Sequence, residues 1–106
     1  MESLLIIETR DAAEHRGPER TMELAIGMQA AATPTTVFLT ENAVFSARRG
    51  LGLLDQALQG GLAIAADEFA LAERGISATE LLEGVIVADV GLIVDHLAAG
   101  ASVMWR

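Results

Sequence analysis

Five short apolar runs punctuate this chain, and they constrain its fold more than any other feature. Ser3-Leu4-Leu5-Ile6-Ile7-Glu8 is continuous rather than alternating, the pattern of a strand covered on both faces. Thr35-Thr36-Val37-Phe38-Leu39-Thr40, Leu62-Ala63-Ile64-Ala65-Ala66, Val85-Ile86-Val87 and Ala101-Ser102-Val103-Met104-Trp105 follow, the first of these four rich in β-branched residues. Helix-length segments separate the runs, and strands joined by helical crossovers return in parallel. The expected fold is therefore α/β, a single domain over residues 1–106. It has two or three layers, with a mainly parallel five-stranded sheet flanked by helices.

The connections carry their own start and stop signals. Thr9 to Gly17 is polar and aperiodic, and reads as a loop. Gly17-Pro18 opens a helix, with Pro where its missing N–H costs little. Glu19 suits the positive end of that helix, and Thr21, Leu24, Ala25, Met28, Ala31 and Ala32 recur as its buried stripe. Thr33-Pro34 stops it, because the residue before Pro avoids the helical region. Glu41-Asn42 leads into a short helix from Ala43 to Arg49, ended by Gly50. Leu51, Leu54, Ala57 and Leu58 predict another one-sided helix, closed by Gly60-Gly61. Asp67 can cap a helix from Glu68 to Glu73, and Ser77-Ala78-Thr79-Glu80 has capping-box spacing and starts a short helix running to Gly84. Asp89 caps the last helix, whose expected buried stripe is Val90, Ile93, Val94 and Leu97.

Composition narrows the function classes. The chain of 106 residues is 52 % hydrophobic but only 4 % aromatic, so its core is built from aliphatic side chains. About a third of the surface exposed by the unfolded chain stays wet in a domain this small, so burial between subunits adds stability. The formal charge is −8, from 15 acidic residues against 7 basic ones, all Arg. That balance argues against a nucleic acid or an anionic membrane as the main partner, since both require phosphates to be neutralised. Glu2 stands where a signal peptide carries its bases, and no apolar run is long enough to span a bilayer. The expected location is the cytoplasm. With no cysteine in the chain, disulfides, thiolate metal sites and persulfide carriage are excluded.

In parallel sheets ligands bind beyond the carboxyl ends of the strands. Those ends are Thr9-Arg10-Asp11, Glu41-Asn42, Asp67-Glu68 and Asp89. The acidic groups among them admit two readings: an acid/base or divalent-cation site, or helix caps and first-turn acids that satisfy backbone amides. Arg48-Arg49, with Arg74, can hold an anion or a partner's carboxylates, or complement the negative end of a helix. Glu41, Asn42, Asp67, Glu68, Arg48 and Arg49 are the candidate ligand-binding or partner-binding residues; none is assigned a catalytic or metal-ligating role, and no cofactor is expected. His96 lies off the expected stripe of the last helix and is expected to face solvent or a partner, and His15 lies in the first loop. Trp105 either completes the core or projects into a neighbouring subunit. No nucleophile elbow, zinc helix, dinucleotide fingerprint or P-loop is present.

Several stretches taken together resemble the DsrE/DsrF-like family of intracellular sulfur-relay proteins. They are Thr36-Val37-Phe38-Leu39-Thr40-Glu41-Asn42-Ala43-Val44 with Ala47-Arg48-Arg49-Gly50, then Glu73-Arg74-Gly75-Ile76, then Glu80-Leu81-Leu82-Glu83-Gly84-Val85. Gly17-Pro18-Glu19-Arg20 is similar too. The resemblance implies a parallel sheet and assembly into homotrimers, homohexamers or, with cysteine-bearing relatives, heterohexamers. It also implies a persulfide-carrying cysteine at the end of the third strand, on or near Asp67. Here that stretch reads Ala65-Ala66-Asp67-Glu68-Phe69-Ala70, and a carboxylate cannot form a persulfide. What remains by resemblance is a non-catalytic or degenerate subunit of sulfur relay or sulfur oxidation, acting through oligomer and partner contacts. The alternative is a carboxylate-based metal or small-ligand site at the rim.

Overall fold

The structure is a computed structural model that describes residues 2–106. Its elements run β1 (Leu4–Glu8), α1 (Gly17–Ala30), β2 (Thr35–Leu39), a 3-10 helix (Glu41–Ala47), α2 (Asp55–Gln59), β3 (Ala63–Asp67), α3 (Glu68–Glu73), a 3-10 turn (Ala78–Glu80), β4 (Ile86–Ala88), α4 (Gly91–Ala98) and β5 (Ser102–Trp105). The five strands form one sheet in the order β4-β3-β2-β1-β5, and every pairing is parallel. The continuous apolar run of β1 lies at the covered centre it predicts, with all five residues buried.

The register divides the strand residues between two sides. Ile6 pairs with Val37 and Met104, and Val37 with Ile64. With Leu4, Leu39 and Ala66 these point to a thick side covered by Met22 and Ala25 of α1, Ala43, Val44 and Ala47 of the 3-10 helix, Leu54, Ala57 of α2, and Ala70 and Leu71 of α3. Leu5, Ile7, Phe38 and Ala65 point the other way. They form a small separate cluster, against which Ala88 and α4's Leu92 and Ile93 pack. The molecule thus has three layers, the third of them a single two-turn helix.

Local patterning departs from the structure in four places, each for a physical reason. α1 stops at Ala30, and Ala31 and Ala32 are exposed rather than part of the buried stripe. Thr33 is driven extended by Pro34, so the chain reverses at Ala32, whose φ is 69°; Met22 takes up the burial instead. Leu51 is 54 % exposed, because Gly50 and Gly52 both take positive φ and no helix passes through them. Neither 3-10 segment grows into an α-helix. The capping bond from the Ser77 amide to Glu80 Oε2 forms at 2.7 Å, but Leu81 leaves the turn to bridge Arg48.

The fourth departure is the largest. Val90, Val94 and Leu97, expected to be buried, are 61 %, 63 % and 56 % exposed. Of the expected stripe Ile93 does turn inward, joined by Leu92. His96 goes with them: its Nδ1 lies 2.9 Å from the Leu92 carbonyl oxygen and its Nε2 3.3 Å from Thr36 Oγ1. The imidazole therefore faces the sheet, not solvent. A helix apolar on both sides carries no sequence signal that says which side meets the sheet. Among the described residues no helix is long and apolar enough to cross a membrane.

Candidate functional site

Because all five strands are parallel, their carboxyl ends and the loops that follow share one rim. At the end of β1, Glu8 is 1 % exposed. Its Oε1 accepts the Thr21 hydroxyl of α1 at 2.7 Å, and Oε2 accepts the amides of Thr9 and Arg10 at 2.9 and 3.0 Å. The Arg10 guanidinium lies 3.5 Å from Oε2 and rests over Gly17, where any side chain would collide with it. A buried carboxylate is tolerable only when so fully paired. Glu8 has no assigned role in the sequence reading; the one available hint was an acid closing an apolar strand, with Arg two residues on.

The helices that follow neighbouring strands diverge at β3 and β4. α3 packs on the thick side and α4 on the thin side, which opens the crevice where parallel sheets bind ligands. Asp67 stands at its mouth, the position that the resemblance assigns to a sulfur carrier. It is 4 % exposed. Its Oδ2 accepts the Thr40 hydroxyl at 2.7 Å and its Oδ1 the Phe69 amide at 3.2 Å. Both oxygens are occupied in joining β2 to the start of α3. Asp89 likewise accepts the Gly91 amide at 2.8 Å. Asp67 is the N-cap of α3, whereas Asp89 stands one residue ahead of the N-cap of α4, Val90, and its side chain holds the first helical amide.

Glu41 and Glu68 are exposed. Asn42 accepts the Arg74 Nε–H at 3.0 Å, which ties the 3-10 helix to the end of α3. Arg49 is exposed, and its amide bonds to the Glu80 carbonyl at 2.9 Å. Arg48 is held more firmly: its Nε donates to the Phe45 carbonyl at 2.8 Å, and the guanidinium sits 5.3 Å over the Phe45 ring. The candidate acids are therefore gathered along one rim but not into one cluster. Among the described residues no three of His, Asp and Glu are placed to hold a metal ion.

Two features escape sequence reasoning. Phe69, one residue past the first turn's acid, is 67 % exposed at this rim. A cavity of about 290 Å³ opens between the loop after β1, α1 and the end of the 3-10 helix, lined by the buried Ser46 and by Asp11, Glu19 and Arg48. It joins residues from three separate segments, which no local pattern links.

No protein-family model matches the chain, and no curated protein matches it. Solved structures do. The chain is similar to the ychN protein from E. coli, with 19 % identity over 100 % of both chains and a TM-score of 0.88. It is also similar to MTH1491 from Methanobacterium thermoautotrophicum, a protein of unknown function, with 21 % identity over 99 % of this chain and 98 % of that one and a TM-score of 0.75. BT1422 from Bacteroides thetaiotaomicron, likewise of unknown function, matches at 18 % identity over 99 % and 95 %, with a TM-score of 0.77. At these identities the likeness establishes a shared α/β fold.

Proposed function

We propose that this chain is a cysteine-less, non-catalytic subunit of a cytoplasmic DsrE-like sulfur-relay assembly, and that it acts by docking on neighbouring subunits through the thin side of its sheet. The observation that carries this reading is an apolar surface with nothing over it. Trp105 is 67 % exposed, Val103 37 % and Ile86 55 %, and the outer stripe of α4 (Val90, Val94, Leu97) lies between 56 % and 63 %. Val103 and Trp105 pair with Leu5 and Ile7, and Ile86 with Ala65, so all three stand on the same side as α4. Large contiguous apolar patches on small soluble domains mark contact surfaces. At the end of β3 a carboxylate with both oxygens engaged replaces any sulfur nucleophile, which leaves contact as the contribution of this subunit.

The occupant is another subunit of the same fold, a second copy of this chain in the simplest case. Each copy carries a formal charge of −8, so association driven by apolar burial is opposed by long-range repulsion and strengthens as salt screens it. Trp105 is the only tryptophan, so its emission reports burial directly. Native mass spectrometry at micromolar concentration is expected to show oligomers, with a blue shift of Trp105 emission as concentration or salt rises. A strict monomer, both alone and mixed with a cysteine-bearing relative, would overturn the reading, as would unaided uptake and release of sulfane sulfur.

A further inference from the structure

We infer that the cavity beneath the loop between β1 and α1 binds a small zwitterion, a free amino acid with an apolar side chain being the simplest member of that class. Its volume of about 290 Å³ lies just below the roughly 300–1,000 Å³ range of drug-sized ligand sites, a size suited to a smaller ligand. Leu51 and Leu53 form its apolar wall, while Asp11, Glu19, Ser46 and Arg48 supply polar groups from three separate segments.

The polar groups have capacity that the protein leaves unused. Arg48 has its Nε fixed on the Phe45 carbonyl and its plane fixed over the Phe45 ring. Yet it is in neither of the two ion pairs found among the described residues. Its two terminal nitrogens form a pre-oriented fork, the geometry that takes a carboxylate through two bonds. Ser46 is 3 % exposed; its hydroxyl accepts the Ala12 amide at 3.2 Å and donates to no protein group among the described residues. On the lining of the same cavity, Asp11 uses Oδ1 on the Ala13 amide at 3.0 Å, and its other oxygen has no protein partner among the described residues. Glu19 has none on either oxygen. An ammonium group placed there finds two carboxylates.

Charge selects between ligand classes. A simple anion meets Arg48 but also Asp11, Glu19 and the field of a chain carrying −8. A simple amine satisfies the acids but leaves the arginine fork empty and brings a second cation beside it. A zwitterion is neutral overall, so the net field does not penalise it, and it offers a partner to both the arginine and the acids that line the cavity.

The test is titration monitored by amide chemical shifts, with leucine, its decarboxylated analogue isopentylamine and its deaminated analogue 4-methylpentanoate. Leucine is expected to saturate at millimolar concentration and to shift the amides of Ala12, Ala13 and the Ser46–Arg48 segment. Each half-probe is expected to bind at least tenfold more weakly, the loss of one charge-assisted contact. Arg48→Gln is expected to abolish the preference for leucine over isopentylamine, and Glu19→Gln, at an exposed helix position where folding is not at stake, to weaken leucine about tenfold. The inference is overturned if leucine, methionine and valine all leave these amides unmoved. Equal binding of either half-probe, or unchanged leucine binding in both variants, overturns it too. None of these readouts depends on oligomerisation, so this inference and the subunit reading fail separately.

Discussion

The thick side of the sheet encloses Ile6, Val37 and Ile64 beneath three helices and a 3-10 helix, whereas the thin side leaves Ile7 and Phe38 beneath α4 and little else. The difference is one of closure, not of residue type. On the thick side even a carboxylate, Glu8, is buried, with four hydrogen-bonding or ionic contacts. On the thin side the only tryptophan lies two-thirds exposed. Apolar burial stabilises by about 25 cal/mol per Å² removed from water, so the thick side has already realised its contribution and the thin side leaves part of its own unrealised in the single chain.

The sharpest way to break the comparison is to ask whether α4 really closes the centre of the thin side. Phe38 is fully buried within that small cluster. Phe38→Ala is expected to cost about 3–5 kcal/mol in denaturant unfolding, as for other buried phenylalanines. A loss below about 1 kcal/mol would mean that α4 does not pack as described, and the contrast between the two sides would then be deeper than drawn. A smaller loss is expected at the end of the thick side. Glu8→Ala leaves the Thr21 hydroxyl and the Thr9 and Arg10 amides without their shared acceptor, at about 2–3 kcal/mol. Glu8→Gln, which keeps one acceptor oxygen, is expected to recover part of this. If both variants matched the unaltered protein, the buried carboxylate would not be anchoring α1 to β1.

How far the sequence could be read follows from the same contrast. The strands, their parallel direction and the cap at Asp67 rest on local chemistry: continuous apolar runs, proline and glycine stops, short acids before helices. The rim location of Glu41, Asn42, Asp67 and Glu68 follows once the sheet is parallel. The orientation of α4 was only partly legible: Ile93 was expected inward and is, but Val90, Val94 and Leu97 extend from it as good a stripe as Leu92 and His96 do, and only the sheet beneath decides between them. The cavity was not legible either, since Asp11, Glu19 and Arg48 become neighbours only when the first loop, α1 and the 3-10 helix are brought together. Glu8 was hidden by its position in the strand, where side chains alternate between sides and its partner Thr21 lies a loop and a helical turn away.

The smallest effect on folding is expected where the comparison matters most for function. Val94 is 63 % exposed in the middle of the outer stripe of α4, and surface substitutions of that kind change stability by no more than about 0.5 kcal/mol. Val94→Ser should therefore leave the unfolding midpoint of the dilute subunit nearly unchanged. The same substitution at micromolar concentration should shift the native mass spectrum toward the monomer and abolish the concentration-dependent blue shift of Trp105, because a polar group would now be trapped in a contact that excludes water. A control at Ala31, exposed just past α1 on the opposite side, should alter neither reading when changed to Ser. The two measurements separate what stability alone cannot: a residue that matters to the fold lowers the midpoint at every concentration, whereas one that matters to assembly does so only where subunits meet. Equal behaviour of Val94→Ser and the Ala31 control in both would place the contact surface away from α4, and the exposed apolar stripe would lose its explanation.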